Sequence, residues 1–184
     1  MLNILKMIVK TKIVTEESPL IESIDFENLQ KDLTRFEKLD YETKKALSKS
    51  LIIRHLDSGS SNSEEAELLA LSNPIYDITR LGIDFTASPR HADVLTVSGP
   101  VTRHLKIAMD RTYNAMPHPK IVVAIGDGAC NGSVYMNTYA CLGKVDQFLP
   151  VDLYIPGDPP TPEQILKGLL MCKLILAKKG KVGK

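Results

Sequence analysis

Four times between Leu51 and Ala177, a short apolar run ends in a turn of Gly, Ser or Pro and gives way to a segment of helical character. The runs are Leu51-Ile-Ile-Arg-His-Leu56, Asp93-Val-Leu-Thr-Val-Ser98, Lys120-Ile-Val-Val-Ala-Ile125 and Pro150-Val-Asp-Leu-Tyr-Ile155. They are nearly continuous in apolar residues rather than alternating, as strands covered on both faces are. Strands of that kind interleaved with helices predict a parallel sheet between two helical layers. In such a sheet the functional site lies beyond the carboxyl ends of the strands. The turns at 57–63, 126–133 and 156–160 are therefore expected to converge there.

The intervening segments carry helix punctuation. Residues 64–71 open with acids behind a choice of caps, Ser61, Asn62 or Ser63. Asn73-Pro74 stops that helix. A second is expected over 101–115, ended by Pro117 and Pro119, and a short third over 134–141. Thr161 caps the last, which starts at Pro162 and runs to about Ala177. Ahead of this domain, residues 1–50 read as an extension. Leu2, Leu5 and Val9 share one helical face, suited to a membrane surface or to docking. Ile21, Ile24, Leu29, Leu33, Phe36 and Leu39 recur at helical intervals. Residues 51–178 form the expected domain and 179–184 a basic tail.

Charge names no partner: Lys+Arg is 23 against Asp+Glu 22, and no nucleic-acid partner is expected. Cys130, Cys141 and Cys172 form no Cys-x-x-Cys pair and are odd in number, which speaks for a reducing compartment rather than a disulfide framework. No apolar run approaches the ~20 residues that span a bilayer, and no secretory signal is expected. The four histidines, His55, His91, His104 and His118, lack metal-ligand spacing. Gly126-Asp-Gly-Ala-Cys-Asn-Gly132 follows a strand but ends in neither form of nucleotide-binding loop. Spacing alone identifies no Ser-His-Asp triad.

Several longer stretches are more specific. Asp57-Ser-Gly-Ser-Ser-Asn-Ser-Glu-Glu-Ala-Glu67 is similar to D-x-G-S-C-N-G-C-x-x-E. Phe85-Thr-Ala-Ser-Pro-Arg-His-Ala-Asp-Val-Leu95 matches F-x-A-S-P-R-x-A-D-V-L, and Val97-Ser-Gly-Pro-Val-Thr-Arg103 matches V-x-G-x-V-T-x. Pro119-Lys-Ile-Val-Val-Ala-Ile-Gly-Asp127 resembles a strand leading to G-D-C-A, and Pro150 to Thr161 resembles P-V-D-x-x-I-P-G-C-P-P-T. In that order, from about Leu51 to Leu170, these motifs resemble the small subunit of membrane-bound nickel–iron hydrogenases of the formate-hydrogenlyase type. The 20 kDa subunit of respiratory NADH:quinone oxidoreductase is the wider relative. The resemblance implies an α/β fold of three layers, a flavodoxin-like parallel sheet of about four strands with flanking helices.

In that family four cysteine thiolates hold a 4Fe-4S cluster that exchanges electrons with a large subunit. Carried over position by position, the ligands fall on Ser61, Glu64, Gly128 and Asp158. A hydroxyl, two carboxylates and a bare backbone are a poor set for a cluster that favours soft thiolates. Cys130 lies two residues past the third position and is the nearest substitute. Cys141 and Cys172 read as structural thiols. Ser61, Glu64, Asp127 and Asp158 would make a hard-oxygen site for Mg²⁺ or Ca²⁺ if they converged; otherwise the aspartates are turn residues.

The expected function is a cofactor-free homologue of the electron-transferring subunit, structural or assembly in role. It would dock on a hydrogenase-like, 49 kDa-like large subunit and on membrane subunits, peripherally on the cytoplasmic face of the cell membrane. The alternative is an active oxidoreductase subunit whose atypical iron–sulfur or metal site uses Cys130 and oxygen ligands.

Overall fold

The computed structural model describes residues 45–136 and 138–182. The helices expected within 1–44 lie outside the described residues. In chain order the elements are β1 (Leu51–Asp57), α1 (Ser63–Ala70), β2 (Ile83–Phe85), β3 (Val94–Ser98) and β4 (Val101–Thr102). Then follow α2 (Lys106–Ala115), β5 (Ile121–Ile125), α3 (Gly126–Asn131), β6 (Cys141–Gly143), β7 (Leu153–Ile155) and α4 (Pro162–Val182).

Among the described residues the main sheet has five strands in the order β2-β1-β3-β5-β7. Every pairing in it is parallel. This is the flavodoxin-like order, with its reversal between β1 and β3. β3 and β5 occupy the middle, and all ten of their residues are buried. Their side chains alternate between two cores. On one face Ile53, Ile121, Val123 and Ile125 pack with Leu68 and Leu71 from α1 and its end, and with Ile165, Leu169 and Cys172 of α4. On the other, Leu95, Val97, Val122 and Ala124 pack with Met109 of α2, Ala129 of α3, Val145 and Leu149. Each fully buried Leu or Ile contributes roughly 1.5–3 kcal/mol by leaving water. This two-sided burial explains why the strands read as continuous apolar runs.

The sequence reading errs in four places, each for a physical reason. It counts about four strands because β2 is only three residues long; it pairs at the edge with β1 through Leu51 and Ile83. The helix expected from 101 starts at Lys106, because Val101 and Thr102 pair antiparallel with Gly143 and Cys141. That same pairing replaces the helix expected over 134–141, of which a 3-10 turn, Ser133–Tyr135, remains. The Gly-rich segment after β5 is a helix rather than a loop. Gly126, at φ +84°, makes the turn, the chain then coils as far as Asn131, and Gly132, at φ +86°, ends the coil.

Two aspartates fix the strand starts in the same way. Asp93 N–H donates to Ile52 O at 2.8 Å while its Oδ2 accepts from Ile52 N–H at 3.0 Å. Asp152 N–H donates to Val122 O at 2.9 Å while its Oδ2 accepts from Val122 N–H at 3.0 Å. Each carboxylate thus satisfies a strand amide that would otherwise lie unpaired at the sheet margin. Lys179 completes the second arrangement with an ion pair to Asp152 Oδ1 at 2.7 Å.

Candidate functional site

The carboxyl ends of β1, β3, β5 and β7 bring together the turns that the sequence reading places there. Ser58 joins the first two. Its backbone N–H donates to Ser98 O at 3.0 Å, and its hydroxyl reaches Ser98 O and Gly99 O, both at 2.8 Å. Asp127 joins the last two. Its N–H donates to Gly157 O at 2.9 Å, and its Oδ1 accepts from Gly157 N–H at 2.9 Å. Asp127 is therefore committed to holding the 156–160 turn.

The loops approach closely because glycines allow it. A Cβ on Gly99 would lie 2.6 Å from the carbonyl carbon of Gly59, and one on Gly128 would lie 2.9 Å from Pro100 Cδ. Both are closer than real Cβ atoms come.

The four positions matched to cluster ligands behave differently from one another. Ser61 is exposed, and its hydroxyl lies 2.8 Å from that of Ser63. Glu64 is only 3% exposed; Ser63 Oγ donates to its Oε2 at 2.9 Å, and its side chain lies against Gly126. Gly128 is buried with no side chain to offer, and Asp158 is exposed. The hard-oxygen site considered for Ser61, Glu64, Asp127 and Asp158 does not assemble. Among the described residues no three His, Cys, Asp or Glu side chains are grouped to hold a metal ion.

Cys130 is half-buried. Its thiol donates weakly to Ala124 O at 3.7 Å and packs against the second core. Burial is the main reason its pKa is pushed up to about 11, so it stays a protonated thiol at neutral pH. Cys172 is the buried structural thiol expected, pushed up to about 12 chiefly by burial. Cys141 is half-buried on β6 rather than on a helix. His91, His104 and His118 are exposed.

These donors do not fit a 4Fe-4S cluster. The mouth supplies no thiolate, its one buried carboxylate is packed on backbone, and the one nearby thiol is packed against the second core and held protonated.

A polar network beneath the mouth escaped the sequence reading. His55 Nε2 lies 3.2 Å from Glu65 Oε1, and Nδ1 lies 3.1 Å from Thr96 Oγ1. Burial holds the imidazole below its ordinary value, against the opposing pull of Glu65 and Asp57. Uncharged, it donates Nε2–H to the carboxylate, which only accepts, and takes the Thr96 proton at Nδ1. Burial alone would raise Glu65. Hydrogen bonds from Ser60, Ser98, its own backbone and His55 outweigh this and keep it below its ordinary value. Ser60 Oγ donates at 2.5 Å and Ser98 Oγ also donates to the same carboxylate.

Hydroxyl, imidazole and carboxylate follow one another as in a nucleophile triad. Thr96, however, is fully buried in the central strand and reaches no substrate. The network instead ties β1, β3 and α1 together. Its signal in the sequence was register: His55 faces Thr96, and Asp57 faces Ser98, across two strands whose only other polar residue is Arg54.

Residues 62–172 match the family of the NADH ubiquinone oxidoreductase 20 Kd subunit, well over half of the 184 residues. The chain belongs to this family. It is 40% identical over 150 residues to the probable membrane-bound hydrogenase subunit mbhJ of Pyrococcus furiosus, covering 80% of this chain and 90% of that one. It is 37% identical over 135 residues to formate hydrogenlyase subunit 7 of Escherichia coli, covering 73% of this chain and 53% of the relative. Among solved structures, a chain of the membrane-bound sulfane sulfur reductase, an archaeal respiratory membrane complex, superposes with a TM-score of 0.63 at 30% identity. That match covers 75% of this chain and 77% of the other. A chain of an NAD⁺-reducing [NiFe]-hydrogenase superposes at 0.52 with 16% identity, covering 67% and 92%, and shares the fold. Among the described residues no helix is long and apolar enough to cross a membrane.

Proposed function

We propose that this chain is a cluster-free small subunit of a hydrogenase-like or NADH:quinone oxidoreductase-like membrane complex. It serves as a structural or assembly piece docked on the large subunit, peripherally on the cytoplasmic side. The observation that carries this reading is selective retention. The family stretches that build the frame still do structural work: Asp93 and Asp152 at the strand starts, Ser58 and Asp127 between the loops. The four ligand positions, embedded in the same stretches, offer no sulfur. Undirected decay would damage frame and ligands alike.

An exposed apolar group in the segment that follows α3 supports docking. Val134 is 83% and Tyr139 90% exposed, with Tyr135 and Met136 also open to solvent. Large apolar side chains left in solvent along one segment are typical of an interface. The alternative, an active subunit ligating iron through Cys130, has against it the packing and protonation of that thiol.

The test is purification of the native complex through a tag on this chain, followed by anaerobic reconstitution of the isolated chain with iron and sulfide. A hydrogenase-like large subunit is expected among the co-purifying proteins, and the isolated chain is expected to remain colourless. A brown chain holding about four irons would overturn the proposal.

A further inference from the structure

We infer that the mouth of this subunit is closed as well as stripped of sulfur, so that cysteines returned to all four ligand positions will not rebuild a metal site. The inference rests on the cluster-free reading and extends it from the identity of the donors to the space between them.

Two contacts close the mouth of the wild type; Glu64→Cys removes the first, and the second, at Gly128, is the one that persists in the fourfold variant. The first is made by Glu64. Its side chain is buried and lies across the turn into α3: a Cβ placed on Gly126 would lie 2.8 Å from Glu64 Cγ and 3.0 Å from its Cδ. The carboxylate is further fixed by Ser63. Glu64 thus occupies the entrance to α3, between α1 and the end of β5, as a filling piece rather than as a free ligand.

The second contact is made by the absence of a side chain at Gly128. The β3 turn lies directly on that backbone. A Cβ there would meet Pro100 Cδ at 2.9 Å, Gly99 Cα at 3.1 Å and Pro100 N at 3.2 Å. These neighbours are a ring and a main chain, which cannot swing aside as the end of a flexible side chain can. Gly99 itself cannot retreat, because it is stacked on Gly59 and Ser60 of the β1 turn. The Ser58 hydroxyl, bonded to Ser98 O and Gly99 O, pins the same layers together. A cysteine at 128 would have to press the β3 turn against the β1 turn on which it is already stacked and to which it is hydrogen-bonded.

The experiment uses the full chain carrying Ser61→Cys, Glu64→Cys, Gly128→Cys and Asp158→Cys together, beside the wild type and a Gly128→Ala variant. All are reconstituted anaerobically with ferrous iron and sulfide. Iron per chain, visible absorbance, far-UV circular dichroism and melting temperature are measured. The fourfold variant is expected to hold no more iron than the wild type. Gly128→Ala is expected to melt several degrees lower than the wild type, with no recovery on adding iron and sulfide.

About four irons in the fourfold variant would overturn the inference, and so would wild-type melting of Gly128→Ala. The second measurement decides the matter even if the fourfold variant does not fold. A cluster in the wild type would sink the cluster-free reading itself. A cluster in the fourfold variant alone would sink only the claim that the mouth is closed.

Discussion

At the scale of single residues, the groups that tell most about this chain are those whose protonation is tied to folding. His55 is held below its ordinary value of 6.5, chiefly by burial. Its neutral form is therefore the one favoured by the folded state. The stability it contributes is present above pH 6.5 and is lost as pH falls below that value. Glu65 is held below its ordinary 4.5, because the hydrogen bonds it accepts outweigh the burial that would raise it. Its contribution has the same sign and is lost only in more acid solution. Thermal melts across a pH series are expected to show the melting temperature falling in two stages, the first beginning near pH 6.5. His55→Gln should flatten the first stage and leave the second. If the variant kept the first stage in full, the proton responsible would lie elsewhere.

At the scale of elements, the margins of the parallel sheet depend on carboxylates. Asp152 accepts from Val122 N–H and pairs with Lys179, while its own N–H continues the bonding to β5. Asp152→Ala removes an acceptor from a part-buried amide, a change costing about 1–3 kcal/mol. The expected outcome is faster hydrogen exchange at Val122 and a lower melting temperature, with exchange at the distant Ile52 unchanged because Asp93 still holds it. Uniform loss of protection would mean that the carboxylate acts on the whole fold.

The same margins show what the sequence disclosed. Central strands were legible because two-sided burial leaves continuous apolar runs, and α4 because Thr161 and Pro162 mark its start. β2 was illegible because three residues carry no period, and β6 because its antiparallel pairing with Val101 and Thr102 is a tertiary choice that local propensity does not record. α3 was masked by glycines: Gly126 and Gly132 have the positive φ that they suggest, but they bound the helix, and Gly128 lies within it.

At the scale of the molecule, the site was only half legible. The sequence located the mouth and named the residues at its four positions. It gave no sign that Cys130 turns inward to Ala124 O or that Glu64 is buried on Gly126. Both are consequences of the α3 helix, where the glycines of the sequence predict a loop. The sequence also left the exposed group at Val134, Tyr135, Met136 and Tyr139 hidden, since the helix expected there would have turned part of it inward. In the docking proposal this group meets the large subunit. Replacing Val134 and Tyr139 together with Ser is expected to leave the melting temperature of the isolated chain unchanged, because both are largely in solvent. Recovery of the large subunit in a pull-down is expected to fall several-fold. Undiminished recovery would move the interface elsewhere on the chain.

The fold itself should be indifferent to metal. In a protein whose site is built by a metal, binding free energy is part of folding free energy, and chelators unfold it. Here protein groups tie the loops at the mouth: Ser58 between β1 and β3, Asp127 between β5 and β7, Glu64 over the start of α3. Each satisfies backbone or fills space that a ligated metal would otherwise organise. The full chain, produced with and without iron limitation and treated with a strong chelator, is expected to show one melting temperature and one circular dichroism spectrum in all conditions. A chelator-dependent fall in melting temperature, restored by iron and sulfide but not by zinc, would mean that these contacts are insufficient and that the loops await a metal.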